Sequence, residues 1–501
     1  MKLQTKIWLV AIFVFVVCLR IWVSFQTSEL NYDGYSVARQ VEYISETGLP
    51  LINDDLSYAG RLNIVSPLYP YFLAFFDLFL PLSFVLKVIP NILAALIVFV
   101  VFYLSMFMIK DEKVSLLVAF LGGIIPVFFN VTINNASPLS AAVPLFFLVV
   151  YYFLRTNQEP IYLNRLIISM VLLVILSPVS LILSVSLIIY LMMLKIQNFR
   201  ESLREGEIVL FFTFLVLWLN LLIFKKALEI HGGSVIRQNI PITIIQDSFS
   251  NITFIQSIYG VGIIALIFGL FAIYSGLFIS SKKSITLMMS IVITVFFLLW
   301  FRLIELATGL IFLGVSFTAL SSHSINYVLV SVSKMKLKNS LIWFLIVFVV
   351  ISLGLFAPNV SFAMSVSGNV PSKYDMDGFY WLKNNTPNSS VVLVLPSEGS
   401  AMSYFSDRKN VMDDNYLLIR NIDKRYEDSN RVFSDVFLTT ALSRLNYYSV
   451  NYVMITEKNY ISNNISSLKY AGDCVVLVWS HPENDVPKIY RVDCVLNTRS
   501  G

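Results

Sequence analysis

Between Ile7 and Phe25 the chain reads IWLVAIFVFVVCLRIWVSF, a long apolar stretch. Apolar runs of this length recur as far as Pro358, and they constrain the fold more than any other feature. A hydrocarbon core of about 30 Å is crossed by about 20 apolar residues in a helix. Spans are read near 7–25, 82–109, 114–130, 138–154, 207–225, 253–280, 284–301, 303–321 and 340–358. Residues 164–194 are long for one span and are broken by Ser177-Pro178, which predicts two short helices meeting at a turn. The expected total is about eleven spans. The chain is 57% hydrophobic and 13% charged, where a soluble protein carries about 25% charged residues. A net charge of +5 is too small to imply nucleic acid as a partner. The expected solvent is the bilayer.

Charge placement orients the spans, because cytoplasmic loops collect Lys and Arg. With the N-terminus inside, the cytoplasmic segments hold Lys110, Lys113, Arg155, Arg165, Lys195, Arg200, Arg204, Lys282, Lys283, Lys334, Lys336 and Lys338. The outer segments hold Arg237, Arg302, and Lys225 with Lys226 at one helix end. An odd number of spans then leaves the C-terminus outside, together with 26–65, 131–137 and 226–252. Lys2 and Lys6 before an apolar run look like a signal peptide, but no small-residue cleavage site follows, which predicts an uncleaved first helix. The expected fold is a polytopic α-helical membrane protein with a C-terminal extracytoplasmic α/β domain, sited in the plasma membrane. Its parts are a transmembrane domain, 1–369, with a first external loop, 26–65, and a soluble domain, 370–501. That last part holds 15 of the 31 acidic residues. YDMDGFYWLKNNTP reads as a helix, SVVLVLP, VNYVMIT, CVVLVWS and KIYRVDC as strands, and a helix is expected within 421–446. Cys474 and Cys494 are placed to pair if this domain is outside; no cysteine has metal-ligand spacing.

The segment 26–65 concentrates charge beside the first span: Asp33, Arg39, Glu42, Glu46, Asp54, Asp55 and Arg61. Asp33 follows the span so closely that it must lie near the membrane surface. DGYSVARQVEYISET reads as a helix with Asp33 at its N-terminus, where a carboxylate is favoured. Val37, Val41 and Ile44 share one face, which suits a helix lying flat on the bilayer, with Arg39 projecting from another. Gly48-Leu49-Pro50 would end it. SPLYPYFLAFFDLFLP, residues 66–81, is apolar but short and reads as interfacial or re-entrant.

A first helix, an acid just beyond it, a horizontal helix, the turn TGLPLIND and then SPLYPYFLAFF resemble, in this order, the first half of GT-C membrane glycosyltransferases. That superfamily includes the oligosaccharyltransferase catalytic subunits, the protein O-mannosyltransferases and the aminoarabinose transferases. FYWLKNNTPNSSVVLVLPSEGSAMSYFSDRKNVMDDNY, then NYVMI, then KIYRV, resemble the archaeal, oligosaccharyltransferase-like branch. The resemblance implies transfer of a sugar from a polyprenyl-phosphate donor to a glycan or protein acceptor on the outer face. It makes Asp33 the base or acceptor-orienting carboxylate. It makes Arg302 the holder of the donor phosphate, with Arg237 and, more weakly, His231 as further candidates. Arg39, Asp54, Asp55, Arg61 and Glu305 stand as support for the acceptor or the loop. The family's second acidic motif is missing from NVTINNASP, and its tryptophan pair from LPSEGS, where Glu398 and Gly399 stand. Neither a whole-oligosaccharide transfer to asparagine nor a tightly held metal is therefore implied; Asp54 and Asp55 are the residues on offer to a divalent cation such as Mg or Mn. Two other classes stay open: a transporter or flippase for lipid-linked glycans, which would show inverted repeats and charges inside spans, and a non-catalytic scaffold with an external binding domain.

Overall fold

The apolar runs become helices. The computed structural model describes residues 2–64, 66–156, 158–199, 203–279, 282–334, 340–365 and 369–495. Arg200, Lys336 and Lys338 of the expected cytoplasmic cations lie outside the described residues. Among those described, seven stretches are long and apolar enough to cross a membrane: Leu3–Ser24 (α1), Leu82–Ile109, Leu139–Thr156, Leu203–Ser250, Lys283–Trp300, Leu306–Ser333 and Ile342–Ser361. Two bent pairs, Glu112–Gly123 with Pro126–Thr132 and Phe254–Val261 with Ile263–Phe278, bring the number to nine if each is one span. The shorter apolar helices Tyr162–Leu176 and Ser180–Ile196 flank Ser177-Pro178, so the proline does break that run. The expected single span at 253–280 instead turns by 83°. The turn sits at Gly262, whose φ of 97° is a conformation that side chains rarely adopt.

The segment after α1 folds back onto protein. Helix α2, Gly34–Thr47, and helix α3, Leu68–Asp77, pack together, tied by Ser45 Oγ donating to Asp77 Oδ2 at 2.6 Å. The apolar face of α2 does not lie on lipid. Val41 is 0% and Ile44 6% exposed, and both join one core with Tyr69 and Leu73 of α3 and Ala401 of the C-terminal part. Burying such side chains is worth about 1.5–3 kcal/mol each, so the amphipathic stripe goes to the nearest apolar protein surface. Tyr35 of α2 meets the rings of Tyr404 and Phe405 at 5.2 and 4.8 Å. Between α2 and α3 the chain forms a small antiparallel pair, β1 (Asn53–Asp54) and β2 (Arg61–Leu62).

From Lys373 onward the chain builds a mixed sheet: β3 (Val391–Leu393), β4 (Lys409–Asn410), β5 (Tyr452–Ile455), β6 (Val475–Ser480) and β7 (Lys488–Val492), in spatial order β4-β3-β5-β7-β6. Strand β3 runs parallel to β4 and β5; β7 is antiparallel to β5 and β6. A strand covered on both faces reads as a continuous apolar run, which is why VVLVL looks as it does. Val391 and Leu393 pack toward Val432, Phe433 and Leu445, while Val392 and Val394 pack toward Phe379, Leu382 and Met402. The expected single helix within 421–446 is two, Ile422–Ser434 and Leu438–Tyr447, because the chain turns extended at Asp435 and Phe437. Cys474 and Cys494 form a disulfide and tie the last strand's exit to the start of β6.

Candidate functional site

The floor of the site is a buried polar cluster at the end of α1. Arg20, 1% exposed, donates to Asn91 Oδ1 at 3.1 Å and to Thr132, with the rings of Phe128 and Phe129 beside it. Lys87, 4% exposed, donates to the carbonyls of Thr27 and Ser28. Ser24 pairs with Asn134, whose amide reaches Thr27 Oγ1 at 2.8 Å. The Asn134 carbonyl takes the Asn31 N–H at 3.0 Å, and the Asn369 carbonyl takes that of Tyr32 at 3.0 Å. A buried cation keeps its charge only when polar groups surround it. These partners therefore fix the backbone of 24–32 from below, one residue short of Asp33.

Asp33 stands at the N-cap of α2, yet its side chain caps nothing. It faces two other carboxyl groups. One is Glu305, at the N-cap of Leu306–Ser333, whose Oε2 accepts from Thr308 at 3.5 Å. Glu305 is exposed at its surface, and the protein packed around it and then the charge of Asp33 hold its carboxyl above the ordinary value. The second is Asp414, within hydrogen-bonding reach of Asp33 and held well above the ordinary value by burial, by Asp33 and by Asp413. Lys458 attracts the Asp414 carboxylate and lies 4.4 Å from the ring centre of Tyr32.

Asp414 arrives there because the 409–416 segment is sewn to 54–63. The Leu56 carbonyl accepts from Asn410 N at 2.7 Å, Tyr58 N donates to Asn410 Oδ1 at 2.8 Å, and Tyr58 Oη donates to the Asp413 carbonyl at 2.7 Å. Asn415 reaches Asn63 at 2.8 Å. Arg61 pairs with Asp413 at 3.4 Å, donates to the Asn415 carbonyl and stacks 4.9 Å from the Tyr58 ring. Gly399 lets the backbone close up here: a Cβ on it would sit 2.0 Å from the Met412 carbonyl.

Two of the expected loop acids differ from each other. Asp54 is not a solvated acid or an open cation ligand: it is 3% exposed, pairs with Arg39 and accepts from the N–H groups of Leu56 and Ser57, both at 3.1 Å. Asp55 is exposed. Neighbours in an extended segment point to opposite sides, so only one of the two turns inward. Arg302, exposed, ends Lys283–Trp300 in a left-handed conformation and lies 5.4 Å from the ring centre of Phe249. Arg237 ends the turn Gly232–Arg237. That turn is held near the site by Asn239, which donates to the carbonyls of Tyr416 and Ile419 at 2.8 and 3.1 Å. His231 closes the preceding helix with Nε2 buried and no hydrogen-bond partner among the described residues. Sequence reasoning missed Asp414, Lys458 and Arg20. MDDNY and the lone charge of the first run were the available signals.

Glu398 is not open to an acceptor. It is fully buried, its Oε2 accepts from Thr456 Oγ1 at 2.9 Å, and its Oε1 has no hydrogen-bond partner among the described residues. Burial, then the nearby Asp375, push it up to about 7. A carboxyl raised in the folded state contributes stability that is full below its unfolded value near 4.3 and is lost as pH rises through about 7. Glu398→Gln is therefore expected to melt higher than the parent protein at pH 8, by on the order of 1–3 kcal/mol, with the gap closing toward pH 4. Equal melting curves at both pH values would show that Glu398 is already compensated.

The architecture has solved counterparts. The oligosaccharyltransferase of Archaeoglobus fulgidus, in its apo form, aligns with 91% of this chain and 70% of its own, at 14% identity and a TM-score of 0.70. The chain has the fold of GT-C membrane glycosyltransferases. AglB of the same organism, in complex with an inhibitory peptide and a dolichol-phosphate, covers 90% of this chain and 70% of its own at 15% identity and a TM-score of 0.61. ArnT of Cupriavidus metallidurans, bound to undecaprenyl phosphate, covers 96% and 97% at 11% identity and a TM-score of 0.56. No protein-family model matches the sequence, and no curated protein does. Another structure of the archaeal enzyme is a complex with Zn and sulfate. Among the described residues of this GT-C fold, no three His, Cys, Asp or Glu side chains come together as a metal-binding set.

Proposed function

We propose that this chain is a membrane glycosyltransferase that moves a sugar from a polyprenyl-phosphate donor to a glycan or protein acceptor on the outer face of the plasma membrane. The N-terminus would be cytoplasmic and 370–501 extracytoplasmic, as the distribution of Lys and Arg favours. The observation that carries the reading is Asp33: a carboxylate beside the end of α1, unused as a cap and aimed at a site shared with Glu305 and Asp414. The lipids named in the structures of AglB and ArnT are polyprenyl phosphates, which supports the donor class. In the reaction the acceptor O–H or N–H is oriented by Asp33, which takes its proton. The new bond to the anomeric carbon forms as the bond to phosphate oxygen breaks, and the electron pair leaves on the phosphate. Arg302 would meet that charge, with Arg237 as the second cation. Arg39, Asp54 and Arg61 would act as supports of the loop. No step is routed through a metal.

The test is consumption of polyprenyl-phosphate hexoses by purified protein in vesicles, with protease access to the 370–495 part reporting its side. Arg302→Ala is expected to weaken donor binding at least tenfold without loss of expression. Unchanged donor affinity would pass the phosphate role to Arg237. No consumption of any such donor would overturn the reading itself.

A further inference from the structure

Asp414 is far from Asp33 in sequence, yet the two carboxyl groups meet. One Asp414 oxygen, Oδ2, is buried, and among the described residues no N–H or O–H reaches it. The backbone on either side is pinned, by Tyr58 Oη on the Asp413 carbonyl and by Arg61 on that of Asn415, so the half-buried Asp414 is held in place beside the exposed Asp33. Two carboxylates at hydrogen-bonding distance repel, and an acceptor without a donor costs about 1–3 kcal/mol. Both costs vanish if one proton lies between them.

We propose that Asp414 is the positioning residue for Asp33: the pair holds one proton, with Asp414 donating to the Asp33 carboxylate and aiming its free lone pairs at the acceptor. The assignment rests on the glycosyltransferase reading, with Asp33 as the group that touches the acceptor. It brings a residue of the C-terminal part into the site, so the chemistry is complete only when that part is docked.

The groups facing the pair are named by the same contacts. Asp413 and Glu305 add negative charge, Lys458 adds positive charge, and Tyr58 and Tyr416 are the phenols within electrostatic reach of Asp414. Burial and the neighbouring carboxylates outweigh the one lysine, so Asp414 holds its proton well above the ordinary carboxylate range. The proton is lost only as a property of both groups together. An alkaline fall in kcat/KM follows, since two bare carboxylates would then push apart.

The deciding measurement is infrared absorption of protonated carboxyls at neutral pH in the purified full chain. Asp414→Asn should lack one protonated carboxyl that the parent protein shows. Asp33→Asn, which removes the opposing charge, should shift the same band toward ionisation. In donor consumption, Asp414→Asn keeps a donor N–H on Asp33 and should exceed Asp414→Ala at least tenfold. Its pH profile should lack the alkaline fall. The proposal is overturned if Asp414→Asn shows no infrared difference, if it is as slow as Asp414→Ala, or if a chelator stops transfer while both carboxyls read as ionised. If the parent protein consumes no polyprenyl-phosphate donor, the functional reading fails, and the infrared difference alone still decides whether the pair shares its proton.

Discussion

Asp33→Asn is expected to give a normally folded protein that transfers sugar at least a hundredfold more slowly. The substitution keeps size and one acceptor oxygen but removes charge and basicity, and loss of a general base typically costs about 10²–10⁴ in rate. The fold has little stake in the carboxylate. It caps no helix, and the backbone around it is held by Asn134, Asn369 and Lys87 rather than by the side chain. The change relieves repulsion with Glu305, and the amide oxygen can still accept from Asp414, so the melting temperature should hold. Asp55→Asn, on the exposed side of the same loop, should change neither rate nor stability, since such surface changes stay within about 0.5 kcal/mol. Donor consumption and thermal melting of the two variants, side by side, check this. Wild-type transfer by Asp33→Asn would remove the base from Asp33 and pass the role to another carboxylate of the site.

Much of this site was legible because its first half is local. An acid just past an apolar run must sit at a membrane surface, and the spacing of Val37, Val41 and Ile44 gives the helix its buried face. The sequence could not say what that face meets. A flat lipid surface and a protein core demand the same stripe, and here Tyr69, Leu73 and Ala401 supply the partner. The strands at the C-terminal end were legible from runs such as VVLVL. Asp414 was not, because its importance comes from tertiary contact across most of the chain and not from spacing. Asp54 and Asp55 make the same point at close range: one inward neighbour is ion-paired and the other solvated, and composition gives both the same weight. Arg20 was visible as a charge in a greasy run, but only the fold shows Asn91 and Thr132 waiting for it.

Asp413→Ala is expected to be the most destabilising single change at the junction, costing about 3–5 kcal/mol and taking sugar transfer with it. The Asp413 carboxylate is 2% exposed and accepts from four groups: Ser57 Oγ, Arg61 Nη2 at 3.4 Å, Asn410 Nδ2 at 3.3 Å and the Asn415 N–H at 3.0 Å. Removing it strands the Arg61 guanidinium, whose side chain is 5% exposed and whose Nε already lacks a partner. An uncompensated buried charge is the costly half of a broken ion pair, whereas removing both halves together is far cheaper. Asp413→Leu combined with Arg61→Met should therefore cost less than the sum of the two single changes. Melting of all four proteins in detergent measures that coupling. The double variant also separates stability from chemistry. It restores much of the fold but leaves Asp414 without its clamp, so transfer should stay low even where melting recovers. Single variants that melt like the parent protein would mean that the 409–416 segment docks by its apolar contacts alone, and that Asp414 is held by something other than its neighbour.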